Sequence, residues 1–392
     1  MNQARAGVRR GPLLLFLITL AIIIYGSLYP FALHARPQPR GIVEVLVASL
    51  AQRPGRGDLI ANVLLYVPFG LFLALALPAR LGAVARSGGT IGAGCMLSGA
   101  IEMAQLYHLG RVTSLYDLAT NTLGTAAGAL TAVLGHRVLT LPAGSTLADP
   151  AAAVFAVSWL GYRLVPFVPT LDFQALKDTV KPLFFAPTLT GRELLRHLVS
   201  WLLFAVLASA AIARRRHLPS LLLPFLGTEM ARLFLVNARL TPAELIGGAL
   251  ATLLWALPIR GARGWLALTA GLTVAVLLIE GLAPFAFHPT PTALHLIPFY
   301  GFLDGAIEIN VQSLLQKLFL YGGLVWALTQ LGWNKRTATG AVAVLLLAIE
   351  LAQRHLPGRT AEITDPLIAL CATIVIMAWP PGTVPSRPRR GR

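Results

Sequence analysis

Twelve apolar runs, each close to the length that crosses a bilayer, leave this chain few folds to choose from. They fall at about 12–30, 59–77, 90–107, 116–135, 151–166, 193–212, 218–236, 242–258, 264–283, 312–330, 337–353 and 363–380. A hydrocarbon core of roughly 30 Å takes roughly 20 helical residues to cross. Inside it every backbone N–H and C=O must find a partner within the protein, which a helix provides along its own length. With 56% of the 392 residues apolar and 12% charged, soluble classes are excluded. The expected fold is an all-α polytopic transmembrane helix bundle.

The polar residues left among the runs repeat. Glu102-x-x-Gln105, Arg111 and Asp117 form one set; Glu229-x-x-Arg232, Arg239 and Glu244 a second; Glu350-x-x-Gln353, Arg359 and Asp365 a third. The two acids of each set are 15 residues apart. Ionisable groups at membrane depth are costly and mark functional sites by default, and their recurrence indicates an internal repeat. Corners repeat too, as Tyr29-Pro30-Phe31, Val165-Pro166-Phe167 and Ala283-Pro284-Phe285. The last two are internal, so the first run is expected to be a permanent helix and not a cleaved signal peptide.

Three four-helix units are therefore expected, at 12–137, 150–260 and 264–381, followed by a basic cytoplasmic tail at 382–392. Four crossings per unit return the chain to its starting side, so the repeats are parallel with both termini inside. The connections containing Gly41–Gln52, Thr170–Phe185 and Thr292–Ile309 are too short to span and are expected to be interfacial helices or re-entrant segments.

The net charge of +16 suggests nucleic acid until its distribution is followed. With the N-terminus cytoplasmic, 17 of the 32 basic residues and one acid, Asp149, fall on the inner side. That is the positive-inside bias, reinforced by anionic lipid, and no nucleic-acid partner is expected. The same topology puts every acid pair and every Pro-Phe corner at the outer face. Cys95 and Cys371 lie within runs and read as small apolar residues, and the eight histidines show no metal-ligand spacing. No metal or cofactor is expected.

In the first unit the candidate binding residues are Asp58, Asn62, Glu102, Gln105, Arg111, Asp117 and Asn121. Glu102 and Gln105 share one helix face, Arg111 lies in the turn, and Asp117 opens the next helix, where a negative charge also suits the helix dipole. Two uses stay open: Arg111 pins the hairpin by pairing with Glu102 or Asp117, or the group forms a polar pocket. Gly124-x-x-x-Gly128 is a close-packing surface, with Asn121 an interhelical hydrogen bond or a ligand contact. In the third unit Lys317, Glu350, Gln353, Arg359 and Asp365 are secondary candidates. Lys317 either snorkels to the interface or pairs with Glu350 or Asp365. Glu229, Arg232, Arg239 and Glu244 of the second unit read as structural. Glu193 and His197 there, and Ser313 and Lys317 in the third unit, stand where the first has Asp58 and Asn62.

Across 12–137 the pattern Tyr29-Pro30-Phe31, Asp58-x3-Asn62-x5-Pro68-x-Gly70 and Glu102-x2-Gln105-x5-Arg111-x2-Ser114-x2-Asp117-x3-Asn121-x2-Gly124-x3-Gly128 resembles the VanZ-like family of bacterial membrane proteins. The third unit has Ala369 and Ala372 in place of the Asn and the first Gly; the second has Arg232 for Gln, Glu244 for Asp and Arg239 displaced by one. The resemblance implies a multi-pass protein of the cytoplasmic (inner) membrane with a cell-envelope role, linked to glycopeptide-type antibiotic resistance. The leading expectation is an outer-facing pocket that binds a lipid headgroup or a glycan. A transporter or flippase, a membrane enzyme using Glu102 or Asp117 as base with Arg111 on a phosphate, and a scaffold are the alternatives. No phosphate loop or nucleophile elbow appears, so the enzymatic signal is weak.

Overall fold

The computed structural model describes residues 10–29, 31, 42–51, 54–107, 113–138, 148–185, 187, 189–212, 218–257, 262–301 and 307–378. Its helices are α1 (Arg10–Leu28), α2 (Ile42–Ser49), α3 (Arg56–Ala76), α4 (Gly82–Gln105), α5 (Leu115–Val138), α6 (Pro150–Leu164), α7 (Phe173–Val180), α8 (Pro182–Phe185), α9 (Gly191–Ala211), α10 (Leu218–Leu233), α11 (Pro242–Ala256), α12 (Ala262–Leu282), α13 (Ile307–Gln330), α14 (Lys335–Gln353) and α15 (Thr364–Ala378). Each of the twelve apolar runs falls on a helix. Among the described residues Asp58–Ala76, Gly191–Ala211, Arg263–Leu282 and Lys335–Gln353 are long and apolar enough to cross a membrane, while Pro12–Leu28, Pro242–Ala256 and Thr364–Ala378 are apolar but shorter.

Two compact bodies form. One is Met1–Thr146 with 305–308, and the other holds the rest of the chain. The second and third expected units thus fold together, and the first folds by itself.

In the first body, α3 and α5 lie backbone to backbone. A Cβ at Gly124 would sit 2.2 Å from the carbonyl oxygen of Val63, and one at Gly128 2.1 Å from that of Val67. Gly70 reciprocates, 2.1 Å from the carbonyl oxygen of Thr125. Glycine is needed at these positions because any side chain would hold the helices apart, and close packing is what joins helices where lipid is as apolar as leucine. The Gly124-x-x-x-Gly128 surface is thus used as its spacing predicts. Ile23 of α1, Tyr66 and Phe69 of α3 and Ile101 of α4 close the core beside it.

The second body is centred on α9 and α13, where Trp201, Leu202, Leu203, Phe319, Leu324 and Val325 are buried. Trp159 of α6 stacks on Phe319 at 4.9 Å and meets Trp201 edge-on at 5.8 Å, an offset arrangement favoured by ring quadrupoles. Asp149 caps α6 by accepting from the N–H of Ala152 at 3.0 Å, and its other oxygen accepts from Trp326 Nε1 at 2.8 Å.

The phenylalanines of the three corners share one backbone form. Phe31, Phe167 and Phe285 have φ of 60°, 59° and 64°. Their N–H groups donate to the carbonyls of Leu28, Leu164 and Leu282 at 2.7, 2.8 and 2.8 Å. The connections behind them differ. The first contains α2 and the second α7 and α8, as short helices; the third is extended through 294–295 and turns helical at Tyr300 and Gly301. There a strand β1 (Leu294–His295) pairs in parallel with β2 (Ala361–Glu362), in the register Leu294 to Ala361. Thr292 accounts for the departure: it exchanges hydrogen bonds with Arg354, so the segment satisfies its backbone against the Arg359 loop instead of within itself.

Candidate functional site

Each acid pair is brought together by a helical hairpin. The first acid ends one helix (Glu102 on α4, Glu229 on α10, Glu350 on α14), and the second opens the next (Asp117 on α5, Glu244 on α11, Asp365 on α15). Glu102, Glu229, Glu244 and Glu350 are all buried. Their surroundings then differ in the number of cations supplied.

In the first unit Glu102 is held by neutral donors. The Ser114 N–H donates to its Oε2 at 2.8 Å, and Thr113 Oγ1 donates to its backbone carbonyl at 3.2 Å. Gln105 Nε2 reaches across to the carbonyl of Ser27 on α1, at 2.9 Å. Asn62 lies within hydrogen-bonding reach of Asp117, and the exposed Asp58 is near enough for its charge to act there. Asn121 donates to Ser98 on α4 at 3.0 Å, an interhelical hydrogen bond. Arg111 lies outside the described residues.

The second unit is a closed charge cluster. Arg163 of α6 bridges the two acids, with Nη2 at 2.6 Å from Glu229 Oε1 and Nη1 at 2.7 Å from Glu244 Oε1. Arg232 bridges the other oxygens, its Nη1 at 3.0 Å from each acid, and its Nη2 donates to the carbonyl of Arg239 at 2.7 Å. Thr241 and Glu244 form a reciprocal capping box on α11. His197 Nε2 stands 4.0 Å from Glu244. Two carboxylates and two guanidiniums balance where solvent is excluded, so removing one partner would strand a buried charge.

The third unit has the first unit's arrangement and lies beside a cavity. The Glu362 N–H donates to Glu350 Oε2 at 2.8 Å, as Ser114 does to Glu102, twelve residues on in both cases. Gln353 Nε2 donates to the carbonyl of Gly281 on α12 at 3.0 Å, as Gln105 does to Ser27. Asp365 accepts from Tyr321 Oη at 2.6 Å and from Lys317 Nζ. Lys317 therefore does not snorkel outward, because an acid lies within its reach. The carboxyls of Glu350 and Asp365 are within hydrogen-bonding reach of each other. Arg359 caps the end of α12, donating to the carbonyls of Glu280 at 2.8 Å and Ala283 at 3.1 Å.

Above Glu350 and Asp365 opens a cavity of about 410 Å³. Lys317, Gln353 and Arg359 line it, and so do three residues that sequence reasoning did not single out, Arg196, Glu280 and Glu362. Arg163 was also missed. Its signal was present, since a charge inside an apolar run is itself a flag, and Ser27, Arg163 and Gly281 each stand three residues before a corner proline. No group of residues suited to a metal ion occurs among the described residues.

Apolar helices long enough to span, with buried acids gathered at their ends, define a helical membrane protein. Residues 13–136 match the VanZ/LLP1 family model, so this roughly one-third of the chain is a VanZ-like domain. Comparison with curated proteins gives no match, and comparison with solved structures gives none.

Proposed function

We propose that this VanZ-like protein is a multi-pass protein of the bacterial inner membrane, built from three parallel copies of one four-helix unit. Its acid-and-amide hairpins sit on the outer face and hold a lipid headgroup or a glycan of the cell envelope. The cavity at Glu350 and Asp365 is the observation that carries this reading. Its wall combines carboxylates, an amide and guanidinium groups, the mixture a polar headgroup or sugar needs for orientation inside an apolar frame. The three alike corners and the equivalent hydrogen bonds from Gln105 and Gln353 support the repeat.

Native mass spectrometry of the full chain, extracted gently from membranes of its host, should find a lipid or glycan that Glu350→Gln releases while remaining folded. The same species at the same occupancy in the variant would sink the site. Sidedness rests on the basic residues of the loops expected inside. Cysteines placed at positions 111 and 359 should label from the extracytoplasmic side of intact cells; reaction only after the membrane is breached would reverse the topology.

A further inference from the structure

We infer that the cavity beside Glu350 and Asp365 takes an amphiphile, a membrane lipid whose polar end lies among the charged residues and whose first chain carbons lie on an apolar floor beneath them. This rests on the headgroup-or-glycan reading and chooses the lipid.

The lining changes character in step along three helices. On α12, Glu280 and Gly281 line the cavity, and so do Val276 and Leu277 one turn earlier. On α14, Leu346 stands one turn before Glu350, and Ile349 one turn before Gln353. On α13, Leu320 follows Gln316 by one turn. A turn rises 5.4 Å, so one polar layer lies above one apolar layer, and these five apolar residues are buried. Both α12 and α14 are long and apolar enough to cross a membrane, and the polar layer falls in their last turns. A lipid in that leaflet has its headgroup and its chain at the same two levels.

The charges at the mouth are met within the protein. Lys317 holds Asp365, and Arg192 and Arg196 stand 3.6 and 3.7 Å from Glu280, near enough to balance its charge and too far to hydrogen-bond it. Arg196 Nε and Glu280 Oε1 are buried without a hydrogen-bond partner among the described residues. A headgroup oxygen can accept from the first, and a headgroup hydroxyl or amine can donate to the second.

The same places in the second unit are plugged. Seven residues before the corner proline the third unit has Leu277 and the second Trp159; four before the first acid the third has Leu346 and the second Phe225. Trp159 and Phe225 are buried and each meets Trp201, with ring centroids at 5.8 and 5.3 Å. The second unit thus closes its mouth with arginines and fills its floor with rings, whereas the third keeps a space of about 410 Å³ over leucines. At roughly 30 Å³ per water-sized group, that space holds on the order of a dozen non-hydrogen atoms, a headgroup and the start of one chain. A sugar pressed on the leucines would lose hydrogen bonds to water, and a chain loses none.

Full-length protein would be placed in vesicles of phosphatidylethanolamine and phosphatidylglycerol, with a trace of either lipid carrying a diazirine on the chain carbons nearest its headgroup. Irradiation of the wild type should place adducts on Leu277, Leu320 or Leu346 with at least one of the two lipids. Leu277→Trp, which copies Trp159, should cut these adducts about tenfold, the fold-change expected when an oversized side chain overlaps the chain. Adducts on the exposed Val344 of α14 should stay unchanged. Leu320→Phe narrows the floor from α13 and takes its place if the tryptophan unfolds the protein. No floor adduct from either lipid in the wild type, or undiminished adducts in a folded variant, overturns the amphiphile. The headgroup-or-glycan reading survives that result if protein isolated from its host carries a lipid or glycan that Glu350→Gln releases, and falls with it if there is none.

Discussion

The second and third acid pairs have nearly the same hairpin and opposite interiors. At Glu229 and Glu244 the space between the carboxylates is filled by Arg163 from α6 and Arg232 from α10, and four buried charges cancel. At Glu350 and Asp365 the matching residues are Gly281 and Gln353, and a cavity of about 410 Å³ stands open. Two residues, one of them outside the hairpin, therefore separate an acid pair closed by two arginines from one that pairs with Lys317 beside a cavity. An ion pair of this kind is weak evidence for net stabilisation, since desolvation offsets much of the attraction. Its removal by halves is another matter.

The largest effect should come from Arg163→Ala. It leaves Glu229 and Glu244 with one guanidinium between them, and breaking a buried pair costs about 3–5 kcal/mol. Unfolding of purified protein in increasing SDS should show that loss, and adding Glu229→Gln should recover part of it by removing the stranded charge. If Arg163→Ala unfolds with the wild type, the second cluster is not a pin and the contrast with the third disappears.

Helices were legible in the sequence because each run had the length and composition a helix needs; that the second and third units share one body was not. Their joint core depends on Trp159 meeting Phe319, a contact between helices more than a hundred residues apart that no local pattern announces. The acids were legible because charge is rare in such a chain, and their partners were only partly so. Spacing put His197 and Lys317 on a common position with Asn62, and all three face the second acid of their pair. Arg163 escaped because it belongs to the helix before the connection, so its closeness to Glu229 is a tertiary fact. The strand in the third connection escaped for a similar reason. Apolar residues with a few prolines fit a short helix until Thr292 and His288 find backbone partners at Arg354 and His355.

The smallest effect sharpens the comparison most. Gln353 contributes one hydrogen bond, to the Gly281 carbonyl at 3.0 Å, so Gln353→Ala should cost only about 0.5–1.5 kcal/mol in the same SDS titration. Arg232 stands at the same place in the second unit but touches both acids and the Arg239 carbonyl. Arg232→Ala should therefore fall in the range given for Arg163→Ala, about 3–5 kcal/mol. The ordering, not either value, carries the argument. A third site whose amide makes one hydrogen bond to a carbonyl loses little when that amide is removed, whereas a second site whose Arg232 bridges both acids loses the balance of a buried cluster. Equal costs would mean that Gln353 holds the third hairpin as firmly as an ion pair does, and that the cavity beside it is a packing gap with no ligand to receive.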